Sequence, residues 1–187
     1  MADTSDIKNG LAIRFNHDIY TVVEFQHVKP GKGAAFVRTK LKSLTSGKVI
    51  DNTFPSGTKI EIVNLTRTKY QYSYPDGNDL VFIHPETFDQ ITIPRDKIDG
   101  VEFLKENEMV DVVIDSDTDK ILTVDIPIFV IMKVVYTEPG VKGDTATNAL
   151  KPATLETGAE VRVPLFIDNG EVIKVDTRTK TYVERVK

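Results

Sequence analysis

The stretch that decides the fold runs from Ile19 to Leu44. It reads I-Y-T-V-V-E-F-Q-H-V at 19–28, K-P-G-K-G at 29–33 and A-A-F-V-R-T-K-L-K-S-L at 34–44. Two runs rich in β-branched and apolar residues flank a Pro/Gly turn, which is the pattern of a β-hairpin. Past the turn, a strand sends Arg38, Lys40 and Lys42 to one face and Val37 and Leu41 to the other. Strands of about six to eight residues carry the turn roughly 20–26 Å along the hairpin. Lys32 then stands at its apex.

The same period of two recurs along the chain. Short alternating or β-branched runs fall at Leu11–Phe15, Thr58–Val63, Leu80–Ile83, Gln90–Ile93, Met109–Ile114, Lys120–Ile126 and Phe129–Tyr136. Glu160–Ile167, Glu171–Asp176 and Thr181–Val186 complete the series. Turn formers separate them at His17-Asp18, Pro55-Ser56-Gly57 and Pro75-Asp76-Gly77-Asn78. Asp168-Asn169-Gly170 between two apolar runs predicts a further hairpin. A single helix is expected, from about Pro94 to Leu104, with Pro94 suited to its first turn and Gly100 against it. Many short strands at steady spacing indicate an all-β chain of small barrels. At about 60 residues per block, three barrels in a row are expected, at 1–63, 64–127 and 128–187.

The chain has 187 residues, 40% hydrophobic and 28% charged, the balance of a globular protein. No apolar run approaches the length of a membrane span, and MADTSDIKNG lacks the basic-then-apolar pattern of an export signal. A cytoplasmic protein without membrane contact is expected. The absence of cysteine removes disulfides, thiolate catalysis and cysteine metal sites together. The net charge of −4 conceals a division. Residues 1–63 carry nine Lys/Arg against six Asp/Glu, a net +3. Residues 64–127 carry six against fourteen, a net −8, and residues 128–187 nine against eight, a net +1. A basic head favours phosphate, and an acidic middle is repelled by it.

Motifs of catalysis and metal binding fail on inspection. Pro30-Gly31-Lys32-Gly33 has glycines and a lysine, but a P-loop needs Ser or Thr after the lysine and then a helix. Asp115-Ser116-Asp117-Thr118-Asp119 has the spacing of an EF-hand start, yet Lys120 and Ile126 stand where Gly and Glu are required. A solvated acidic turn between two strands is expected there. His17, His27 and His84 show no ligand spacing, and no serine sits in a nucleophile elbow. No catalytic residue, metal or cofactor is expected, and the chain reads as a binding factor, not an enzyme.

Lys29 to Lys42 holds five positive charges and no acid. Pro30 stiffens the approach to the loop, while Gly31 and Gly33 permit angles that other residues avoid. The residues alone leave two readings open: a solvated hairpin tip, or insertion into a nucleic-acid cleft. Flanking glycines leave the backbone at Lys32 bare, which suits a narrow groove or recognition by a modifying enzyme.

Lys29-Pro30-Gly31-Lys32-Gly33, followed by Ala35-Phe36 and the basic strand, resembles the N-terminal loop of the bacterial translation elongation factor P family. Lys151-Pro152-Ala153, Gly158, Val161, Val163-Pro164, Ile167 and Gly170 fall in the order and spacing of that family's signature. Gly143-Asp144-Thr145-Ala146-Thr147-Asn148 resembles its G-D-x-x-x-N loop, and Asp176-Thr177-Arg178 with Tyr182–Val186 its last strands. The resemblance spans the chain and is loosest between Asn64 and Ile126. It implies an SH3-like (KOW-type) barrel followed by two OB-fold barrels. It also implies a monomer that binds the ribosome, both rRNA and ribosomal proteins, between the peptidyl and exit sites beside peptidyl-tRNA. There Lys32 approaches the tRNA CCA end and peptide bonds at consecutive prolines form faster. Lys29, Pro30, Gly31 and Gly33 support Lys32, and Arg38, Lys40 and Lys42 contact RNA backbone. In many members a dedicated enzyme extends that lysine with β-lysine or another amine-bearing group, and the related archaeal and eukaryotic factor carries hypusine there. By the same resemblance Gly143, Asp144 and Asn148 lie near the exit-site codon. Tyr182 and Arg185 contact tRNA or the small subunit; read by themselves, they are final-strand packing and surface charge.

Two other readings compete. A general RNA-binding OB-fold protein predicts salt-sensitive binding to free single strands with little need of Lys32. A paralogue of unassigned role within the family is the other, against which K-P-G-K-G and G-D-x-x-x-N both stand.

Overall fold

A computed structural model describes residues 2–140 and 149–187, and among them the regular structure is β-strand with three short 3-10 turns. The strands are β1 (Ala2–Asp3), β2 (Ala12–Phe15), β3 (Asp18–Val28), β4 (Phe36–Ser43), β5 (Val49–Pro55) and β6 (Lys59–Ile62). Next come β7 (Leu65–Asp76), β8 (Asp79–Ile83), β9 (Gln90–Pro94), β10 (Met109–Asp115) and β11 (Lys120–Asp125). The last are β12 (Phe129–Thr137), β13 (Leu150–Leu155), β14 (Glu160–Pro164), β15 (Val172–Asp176) and β16 (Thr181–Val186). They form three sheets, ordered β1-β6-β2-β3-β4-β5, β11-β10-β7-β8-β9 and β14-β13-β12-β15-β16. The all-β expectation holds.

The chain divides into two compact units, Met1–Thr68 with Asp111–Val124, and Lys69–Val110 with Asp125–Lys187. In the first unit, Ile7, Ile13, Val22, Val37, Leu41 and Phe54 form a buried cluster. The Phe15 ring meets Tyr20 and Phe54 edge-on, at 6.1 and 5.5 Å between centroids. β2 and β3 are joined by Asn16 and His17, both at positive φ (48° and 63°), between the paired residues Phe15 and Asp18. Two consecutive left-handed residues are what a tight type I′ hairpin turn demands. A second cluster gathers Ala12, Ile19 and Val63 with Leu122 of β11.

Asp115, at the end of β10, is 2% exposed. It accepts from the Asp117 backbone N–H at 3.0 Å and lies 3.5 Å from Arg14, which also binds Glu61 at 2.9 Å. The Asp115–Asp119 segment does turn the chain between two strands, but its first carboxylate is buried and bound, not solvated. Burial raises the Asp115 pKa, and the hydrogen bonds from Asp117 and Thr118 with Arg14 outweigh it and bring it below the ordinary value.

In the second unit, Val130, Met132, Val134, Leu155, Val163 and Ile173 centre a buried cluster that Phe103 joins. Phe103 arrives from the segment expected to be helical, and there the expectation fails. Arg95–Lys97 and Val101–Phe103 are separate 3-10 turns, with Gly100 between them at φ 73°. A left-handed glycine ends a helix instead of extending it. Asp168-Asn169-Gly170 also departs from expectation. It is a turn, with Gly170 at φ 87°, but β14 pairs with β13 and β15 pairs with β12 and β16, so no hairpin forms across it. The turn is held instead on β12: Asn169 Oδ1 accepts from Thr137 N–H and Gly170 N–H donates to the Val134 carbonyl.

Candidate functional site

β3 and β4 pair from Tyr20↔Ser43 to Val28↔Phe36, with one bulge between Val22 and Glu24. Lys29 to Ala35 close the hairpin beyond the last pair, and Lys29 to Ala34 are all exposed. The base of the loop is tied down where the Ser56 N–H donates to the Ala35 carbonyl at 2.9 Å. Lys32 makes no hydrogen bond or ion pair among the described residues. Its ammonium is therefore available to a partner in full.

The two glycines differ. Gly33 sits at φ 105°, a conformation that L side chains avoid, so it shapes the turn. Gly31 has no positive φ, and a Cβ there would meet nothing within 4 Å. The expectation of special backbone angles holds for Gly33 alone. Nothing among the described residues requires a glycine at 31.

On β4, Val37, Thr39, Leu41 and Ser43 are buried while Arg38 and Lys42 are exposed and Lys40 is half-buried. The basic residues thus share the outward face. Their surroundings are less basic than the linear count of charges implies. Lys40 binds Glu24 of β3 at 3.2 Å, and its register partner on β5 is Asp51. Arg38 stands between Gln26 and Thr53 in register, its guanidinium 5.5 Å from the Phe36 ring. Glu24, Gln26, Arg38, Lys40, Asp51 and Thr53 line a shallow, open groove. An exposed pair such as Lys40–Glu24 is worth about 0–1 kcal/mol and is screened by salt, so it does not remove Lys40 from use.

The root of the hairpin is fixed by Asp18. Its carboxylate accepts from Ser43 Oγ at 2.6 Å, Thr45 Oγ1 at 2.7 Å and the Ile19 N–H at 2.7 Å. Partial burial raises the Asp18 pKa, but these three bonds outweigh it and leave the value below the ordinary one.

In the second unit, Tyr182 is half-buried against the core cluster of the last sheet. Arg185 binds Glu171 at 2.9 Å and lies 5.7 Å from the Phe166 ring. Both sit on β16. Gly143, Asp144 and Asn148 lie outside the described residues. The histidines have local partners: His27 meets Phe25 edge-on, His17 occupies a turn, and His84 Nδ1 accepts from the N–H groups of Glu86 and Thr87. Among the described residues no group of three or more His, Asp or Glu could hold a metal ion. No helix among them is long and apolar enough to cross a membrane.

Three family models match the chain in succession. Residues 3–60 match the elongation factor P KOW-like domain, 65–123 the elongation factor P OB domain and 130–185 the elongation factor P C-terminal domain. A protein of Flavobacterium johnsoniae named elongation factor P is 58% identical over 187 residues, with both chains covered in full. Elongation factor P 1 of Porphyromonas gingivalis is 56% identical, again over the full length of both. Among solved structures, a translation initiation factor eif-5a family protein from Naegleria fowleri superposes with a TM-score of 0.52 at 17% identity. That match covers 67% of this chain and 96% of the other, and it bears on the fold alone.

Proposed function

The chain belongs to the elongation factor P family of translation elongation factors, and on that premise we propose that Lys32 is its working group, a positioner of peptidyl-tRNA on the ribosome. In this proposal the protein binds between the peptidyl and exit sites, with blocks 1–63, 64–127 and 128–187 acting as its three modules. The Lys32 ammonium, bare or extended by a modifying enzyme, bonds the backbone of the tRNA CCA end and speeds peptide bond formation at consecutive prolines. The observation that carries the proposal is the exposed Lys29–Ala34 loop, where Lys32 has no hydrogen-bond or ion-pair partner among the described residues, at the end of a hairpin braced at its root by Asp18.

Proline has a fixed φ and a constrained secondary amine, so it reaches reactive geometry poorly. Reaction between two bound groups depends steeply on their placement, and small misplacement is costly in rate. A cation on a stiff arm improves placement without exchanging protons or bonds, so Lys32 acts as a positioner and not as a base. Gly31 fits this role, because a bare backbone beside Lys32 allows a partner to approach closely where no contact among the described residues demands glycine. Arg38 and Lys42 offer phosphate contacts below the tip, and Lys40 joins them by exchanging Glu24 for phosphate. Gly143, Asp144 and Asn148, with Tyr182 and Arg185, are proposed to meet the exit-site codon region and tRNA or the small subunit.

The test is a deletion strain of the source bacterium carrying a reporter with a proline run. Reporter synthesis slows on deletion and returns with the wild-type gene. Lys32→Ala is expected to fold normally and fail to restore it. Full restoration by Lys32→Ala would overturn the proposal.

A further inference from the structure

The turn between β8 and β9 carries a residue that the proposal above leaves without a task. Phe88 is 73% exposed and sits at φ 62°. Left-handed backbone is unfavourable for a bulky side chain, and Gly or Asn occupies it more readily. The turn that imposes this conformation is closely bonded. His84 N–H donates to the Asp89 carbonyl at 2.8 Å and Phe88 N–H to the His84 carbonyl at 3.0 Å. His84 Nδ1 accepts from Glu86 and Thr87 N–H at 3.2 and 3.1 Å, and Thr87 Oγ1 donates to Asp89 at 2.6 Å. The His84 ring is itself set edge-on against Tyr70, 5.3 Å between centroids. A firm turn therefore presents a large apolar ring to solvent, at a position where the fold gains nothing from it.

We infer that Phe88 is an anchor that enters an apolar pocket on a basic protein surface. Charge selects a protein over a nucleic acid. Between Ile83 and Gln90, which pair at the base of this turn, the chain carries Glu86 and Asp89 and no lysine or arginine, while Asp76, Asp79 and Arg95 lie at the opposite end of β8 and β9. Glu86 and Asp89, on either side of Phe88, are exposed. Phosphate is repelled by such a tip, whereas lysines and arginines around a pocket are drawn to it. A single aromatic ring seated in a pocket, with a polar rim that excludes water, is the usual form of an interface hot spot. The inference rests on the ribosome-binding proposal and assigns the acidic middle of the chain to ribosomal protein and not to rRNA.

The experiment uses the full chain and purified ribosomes of the source bacterium. Phe88→Asn, which suits the left-handed position, is expected to melt at the same or a higher temperature than wild type. Its affinity for ribosomes in sedimentation binding is expected to fall roughly tenfold or more. Phe88→Tyr, which keeps the ring, is expected to bind within about threefold of wild type. A photo-reactive benzoylphenylalanine at position 88 is expected to give an adduct with a ribosomal protein, sensitive to protease and resistant to ribonuclease. An adduct with rRNA overturns the inference, as does Phe88→Asn binding as tightly as wild type. In both cases the role of Lys32 stands. If wild-type protein fails to bind ribosomes, that role and this inference fall together.

Discussion

The Lys29–Ala34 loop and the Lys151–Gly170 segment both carry the family resemblance, and they carry it for opposite reasons. In the loop, every residue is exposed and Lys32 makes no hydrogen bond or ion pair among the described residues. In the segment, Ala153, Val161, Val163 and Ile167 are buried in the core of the last sheet, and Gly158 and Gly170 both turn the chain at φ 87°. Lys151 makes the contrast plain. It is 6% exposed, and its ammonium donates to the Glu138 carbonyl at 2.6 Å. Lys32 faces outward with no hydrogen bond or ion pair among the described residues, whereas Lys151 is consumed in holding the fold. The segment that best identifies the chain is therefore a packing pattern, and the short loop is the one that points to a partner.

That contrast can be broken at several points. Ile167→Ala removes a fully buried side chain and is expected to cost about 2–5 kcal/mol in denaturant unfolding. Lys151→Met removes the charge-assisted hydrogen bond from the buried ammonium to the Glu138 carbonyl, an expected loss of about 1.5–3 kcal/mol seen as a lower melting temperature. A neutral result for Lys151→Met would move that residue from the structural side of the comparison to the functional one.

Within the loop, Gly33→Ala meets φ 105° and is expected to cost about 1 kcal/mol. Gly31→Ala should leave stability unchanged and still impair synthesis of the proline-run reporter, because only an external partner needs that backbone bare. Equal activity of Gly31→Ala and wild type would remove Gly31 from the site.

Asp18 gives a pH signature. Its folded pKa lies below its unfolded one, so its contribution is fully present above the unfolded value, about 3.9. That contribution is lost as pH falls through the folded value. Asp18→Asn is expected to flatten the acid limb of the melting temperature against pH below about pH 4 and to leave its shape at neutral pH unchanged. Smallest of all is Lys32→Ala, expected to shift stability by no more than about 0.5 kcal/mol. A loss well above that in denaturant unfolding would show that the loop belongs to the fold after all.

Much of the fold was legible because alternation survives translation into strands. The Ile19–Leu44 reading became β3 and β4 with Val37 and Leu41 inside. β7, at twelve residues, shows no such alternation, since its Thr, Lys, Gln and Tyr look polar although Tyr70 and Tyr72 are buried. β13 was hidden too, by Pro152 within it and by Lys151, a charge that no pattern of hydrophobicity places inside. The helix expected at Pro94–Leu104 failed because proximity in sequence says nothing of where Phe103 must be delivered. Phe88 left no periodic signal at all; a large apolar residue inside a turn was the only clue.

The sequence by itself determined the all-β class, the hairpin with Lys32 at its tip, the absence of cysteine chemistry and the unequal distribution of charge. Each of these follows from local patterning or simple counting, which neighbours distant in sequence do not alter. Only the tertiary structure decided that Glu24 and Asp51 stand beside Lys40, that Asp115 is buried under Arg14, that Gly31 has no internal duty, and that Phe88 is held out to solvent. Those properties depend on strand register and on burial. Register and burial arise when residues far apart in the chain are brought together to exclude water.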